Sequence, residues 1–151
     1  MKIFIKKYLS DEDLKAVSAR IAEAERNTSG EIRVSIRHHR SWGEGKLSLH
    51  ELTLKEFTRL DMEKTKERTG VLILLLMSER KFQIIADEGI HKKVGQATWD
   101  SIAESMSEHF KQGNFSKGIG NAVDAVGAEL KKHFPARTDD RDELSNDVVE
   151  R

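Results

Sequence analysis

Glu31, Asp87 and Glu88 are the side chains of this sequence whose type and expected position point to shared chemistry. Clustered carboxylate oxygens suit a hard cation such as Mg²⁺ or Ca²⁺, which offsets their repulsion and holds a phosphate in its remaining positions. The competing reading is plainer: acids at strand ends are ordinary solvated loop charges, and Glu31 pairs with Arg33 or Arg68. Other constellations are weaker. His38, His39 and His50 flank a loop around Trp42, but adjacent histidines at a strand end point to opposite faces, and no third ligand stands at zinc spacing. His91 reads as a helix-start residue. Gly118-Ile119-Gly120 falls inside a helical pattern, so it indicates close helix packing and not a phosphate loop. Lys92 and Lys93 read as a solvated helix face, and Trp99, Phe110, Phe115 and Phe134 as core. No catalytic signature stands out by itself.

Only chain topology can bring the three acids together, and the patterning predicts one. Ser10 followed by Asp11, Glu12 and Asp13 opens a helix whose stripe is Leu14, Val17, Ile21 and Ala24. Glu31 to Arg37 alternates strictly and predicts a strand with one face partly wet. A loop over His38–Lys46 follows, then a helix over Ser48–Lys66 with Leu54, Phe57 and Leu60 inward. Val71–Met77 is apolar on both faces, the mark of a central strand covered from both sides. A tight turn at Ser78-Glu79-Arg80 leads into a third strand, Lys81–Asp87, giving an antiparallel hairpin. Two amphipathic helices follow, the last stopped by Pro135. The fold class is α/β: a three-layer α/β/α sandwich with a small mixed sheet, built from a parallel crossover and a hairpin. In that topology Glu31, Thr69, Gly70, Asp87 and Glu88 meet at one sheet edge.

The 151 residues suit one domain over 1–135, followed by a charged tail over 136–151 with little to bury and no structure expected. Twenty-six basic and 26 acidic residues cancel, which disfavours nucleic acid and anionic membranes as partners. The absence of cysteine excludes disulfides, thiol nucleophiles and thiolate metal sites. No apolar run approaches the roughly 20 residues of a membrane span, and Ile3-Phe4-Ile5 is too short for a signal-peptide core. A cytoplasmic monomer is expected.

Thr28-Ser29-Gly30-Glu31-Ile32-Arg33-Val34, Leu60-Asp61-Met62-Glu63-Lys64-Thr65, Arg68-Thr69-Gly70-Val71-Leu72-Ile73 and Arg80-Lys81-Phe82-Gln83-Ile84-Ile85-Ala86-Asp87-Glu88-Gly89-Ile90 together resemble the TPM domain family. The likeness runs from about Ser10 to Phe134, and a compact cytoplasmic bacterial subgroup is its nearest match. The resemblance implies an α/β sandwich, acid phosphatase activity as in thylakoid-lumen members linked to photosystem II repair, and divalent-cation binding as in some others. An animal relative modulates a receptor. The family's acidic positions carry over to Glu31, Asp87 and Glu88. The expected function is therefore a divalent-cation-binding domain, taking Ca²⁺ or Mg²⁺, with weak phosphomonoester hydrolysis. The alternative is a non-catalytic interaction module that meets a protein partner through the Trp42 loop and the tail.

Overall fold

The computed structural model describes residues 8–136 and 148–150. Helix α1 (Asp11–Glu25) starts at a reciprocal cap, in which the Ser10 hydroxyl accepts the Asp13 N–H at 3.0 Å and the Asp13 carboxylate accepts the Ser10 N–H at 2.9 Å. Strand β1 (Glu31–Arg37) leads through a loop to α2 (Leu49–Arg59), capped in the same way by Ser48 and Glu51. A 3₁₀ turn at Met62–Lys64 precedes β2 (Gly70–Leu76). A second 3₁₀ turn, Met77–Glu79, makes the reversal into β3 (Lys81–Ala86), with Arg80 in the left-handed region at φ 54°. Helices α3 (Glu88–Val94), α4 (Gln96–Lys111) and α5 (Phe115–His133) follow, and β4 (Val149–Glu150) ends the described chain.

The sheet order is β3-β2-β1-β4, with β1 and β2 parallel and β2 and β3 antiparallel. Ile32, Val34 and Ile36 join Val71, Ile73 and Leu75 in the main core, under Val17 and Ile21 of α1 and Ile119, Val123 and Val126 of α5. The opposite face carries Leu74 and Leu76 against Leu52, and Leu72 against Phe57 and Met62. Helices on both sides of a mixed sheet make the α/β sandwich that the patterning predicts.

The departures from the sequence reading have local causes. The helix expected to reach Lys66 stops at Arg59, because Asp61 takes φ 59° and turns the chain into the 3₁₀ segment. Its inward stripe is Leu52, Glu56 and Phe57, and Leu54, off that phase, is exposed. Gly95 at φ 86° divides the first expected post-sheet helix, giving three helices where two were expected. The polar face of β1 is not wet: all seven residues are buried. The tail expected to lack structure contains β4, whose Val149 and Glu150 pair in parallel with Ser35 and Ile36 and cover the outer edge of β1. The remainder of that tail, 137–147 and 151, lies outside the described residues.

Candidate functional site

Strand register aligns Glu31 with Gly70, and the Asp87 N–H donates to the Gly70 carbonyl at 2.8 Å. Side chains alternate along each strand, so Glu31, Gly70 and Asp87 fall in one cross-strand row on the face that α2 covers. The topology thus brings both acids to one sheet edge, as expected. Two strand spacings place their backbones roughly 10 Å apart, and the space over Gly70 is filled: a Cβ built there would lie 2.7 Å from the Met62 carbonyl oxygen.

Asp87 is 7% exposed, and its carboxylate is fully engaged. Arg68 Nε donates to Oδ2 at 2.7 Å and Nη2 to Oδ1 at 2.9 Å, while the Glu88 N–H donates to Oδ1 at 2.8 Å as the cap of α3. The bidentate carboxylate holds the Arg68 guanidinium above its ordinary pKa. Glu88 points outward, 73% exposed, with one oxygen 3.7 Å from Arg68 Nη1. Arg68 itself sits at φ 57° and is 45% exposed, so the guanidinium is the movable half of the pair and Asp87 the fixed half. Gly89 permits this arrangement. A Cβ there would fall 2.0 Å from the Glu67 carbonyl oxygen and 2.6 Å from that of Arg68, so only glycine lets the Arg68 backbone lie against the start of α3.

The donors at this edge are all oxygen, which fits a hard cation and not a soft one. Among the described residues, however, no three histidine, aspartate or glutamate side chains stand together as a ready-made metal group. Asp87 and Glu88 are adjacent oxygen donors at this edge, with Arg68 set against both. Glu31 is buried, level with Gly70 in the strand register. The clamp from Arg68 is absent from the sequence reading, which offered Arg68 as a partner for Glu31 instead.

The opposite end of the sheet holds a second polar assembly that sequence reasoning missed. Glu44, 3% exposed, accepts from Arg37 Nη2 at 2.6 Å, from the Ser41 N–H at 2.7 Å and from Lys55 Nζ at 3.0 Å. The Arg37 hydrogen bond leads in lowering the Glu44 pKa to about 2, against the opposing effect of burial. Arg40 donates to Glu79 at 2.6 Å and to the carbonyls of Glu44 and Leu47. Glu56 reaches from α2 to accept the Ser35 hydroxyl at 2.6 Å and is gripped by Arg59. These acids, supplied by the loop and α2, cover Arg37 and Ser35 on the polar face of β1. Of the histidines, His38 and His39 meet edge-on with ring centres 5.2 Å apart, His50 is on α2 and His91 on α3.

The profile of the TPM domain matches residues 5–129. The chain belongs to the TPM domain family. The BA42 protein from the psychrophilic bacterium Bizionia argentinensis, solved by NMR, is 35% identical, with 95% of each chain covered and a TM-score of 0.85. The N-terminal domain of a P. gingivalis protein, also an NMR structure, shares the fold at 22% identity, with a TM-score of 0.67 over 85% of this chain and 82% of that one. Among curated proteins, none matches this TPM domain. No helix among its described residues is long and apolar enough to cross a membrane.

Proposed function

We propose that this TPM domain binds Ca²⁺ or Mg²⁺ at Asp87 and Glu88 in exchange for the Arg68 guanidinium, and that the released arginine holds a phosphate monoester for slow hydrolysis. The observation that carries this reading is the Arg68–Asp87 pair: a fixed, almost fully buried carboxylate whose counter-ion is half-exposed and mounted on a left-handed residue. When bound, the cation supplies charge neutralisation and a water of lowered pKa. The chain's own part is positional. Asp87 stays anchored by the Glu88 N–H, Glu88 is the exposed neighbouring acid that would join it, and Arg68 presents a planar fork suited to two phosphoryl oxygens.

Calorimetric titration with Ca²⁺ and with Mg²⁺, alongside a p-nitrophenyl phosphate assay, tests the reading. Asp87→Asn is expected to weaken cation binding more than about ten-fold and to remove the cation-dependent hydrolysis. Unchanged binding in Asp87→Asn would refute the cation site. Binding without hydrolysis in the wild type would remove the phosphatase half alone.

A separate observation favours a second reading, an interaction module. Trp42 is 103% exposed, on a loop whose backbone is locked by Glu44 and Arg40. A rigidly presented aromatic of this kind is the typical anchor of a protein interface. Trp42→Ala is expected to change the unfolding free energy by less than about 0.5 kcal/mol. A larger loss in a melting experiment would mean that the ring packs within the fold, and the reading would fail.

A further inference from the structure

At the carboxyl end of β2, away from the Asp87 edge, lies a cavity of about 520 Å³. Phe82 of β3, Phe110 of α4 and Phe115 of α5 form its wall, joined by ring contacts at 5.4 Å and 5.0 Å, and Tyr8 meets Phe115 edge-on at 5.1 Å. The charged residues that line it are Arg80, Lys81 and Lys111, with no acid among the described lining residues. Among the described residues Lys111 has one exposed partner, Glu108 on its own helix at 3.6 Å, and such a pair neutralises little. Glu79, the acid next to Arg80, is taken by Arg40. Arg80 and Lys81 make no ion pair among the described residues.

An apolar cavity of a few hundred Å³ with a few convergent polar groups is the usual form of a small-molecule site. Open α/β sheets place such sites outside the carboxyl ends of parallel strands, where β2 ends here. Arg80 adds a further sign. It holds the left-handed turn position, which glycine or asparagine fills more easily, and so presents a cation where the hairpin alone asks for none. We propose that this cavity binds a small amphipathic anion, a flat apolar body carrying a terminal carboxylate, sulfonate or phosphate. The body packs against Phe82, Phe110 and Phe115, and the oxyanion meets Arg80 and Lys111 at the rim.

The probes are 1-naphthalenesulfonate and its neutral counterpart 1-naphthalenemethanol, followed by backbone amide shifts. The sulfonate is expected to give saturable shifts confined to the segments around Met77–Phe82 and Ser107–Phe115, and the alcohol to bind about five-fold more weakly or worse. Arg80→Gly, which relieves the turn, and Lys111→Gln should each weaken the sulfonate about five-fold. Ser107→Leu, which fills the cavity from its lining, should abolish binding, while Asp87→Asn should leave it unchanged. Shifts that do not saturate or that centre elsewhere, equal binding of the alcohol, or full affinity in Ser107→Leu would overturn the proposal.

Discussion

Replacing Gly89 with alanine is expected to cost about 3 kcal/mol of stability and to lower the melting temperature by roughly 10 °C. The added Cβ would meet two backbone carbonyl oxygens, of Glu67 and Arg68, at 2.0 and 2.6 Å, and neither is the end of a flexible side chain. The chain must therefore move apart at the point where Arg68 is brought to Asp87. Thermal melting checks the stability. A loss below about 1 kcal/mol would show that the 67–69 turn is looser than these contacts require. Gly43, with nothing near its Cβ position but φ 89°, is the matched control, expected to show only the smaller penalty of a left-handed residue.

The second large effect is expected at Glu44. Glu44→Ala leaves Arg37 buried without its carboxylate, and breaking a buried pair from one side costs about 3–5 kcal/mol. The pH dependence has a definite sign. The folded pKa of Glu44 lies at about 2, below the ordinary 4.5, so the stabilisation is fully present above pH 4.5 and is lost as pH falls towards 2. A shift of this size corresponds to about 3 kcal/mol. Denaturant unfolding at pH 7 and pH 3 should show the gap between wild type and Glu44→Ala narrowing at the lower pH. A constant gap would mean that the carboxylate's charge is not what holds the loop.

Much of the architecture was legible from the residues. Strict alternation from Glu31 to Arg37 located β1 to the residue, and the doubly apolar Val71–Met77 run located β2 within one position. What stayed hidden was the company kept by polar side chains. Nothing near Ser35 or Arg37 in sequence announces that Glu56 and Glu44 will cover them, since that depends on the phase of α2 and on the fold of the loop. The convergence of Glu31 and Asp87 on one edge followed from strand direction alone. The approach of Met62 to Gly70 and the Arg68 clamp did not, because both depend on close backbone approach at Gly70 and Gly89. β4 escaped notice because a two-residue strand carries no periodicity.

In the proposed function, Asp87 is a cation site held in reserve by its own arginine. Measuring Ca²⁺ affinity in Arg68→Ala addresses that most directly, because the guanidinium occupies both oxygens of the carboxylate that the cation would take. Tighter binding than wild type, by about five-fold, is the predicted result. Affinity that is unchanged or weaker in Arg68→Ala would contradict the exchange.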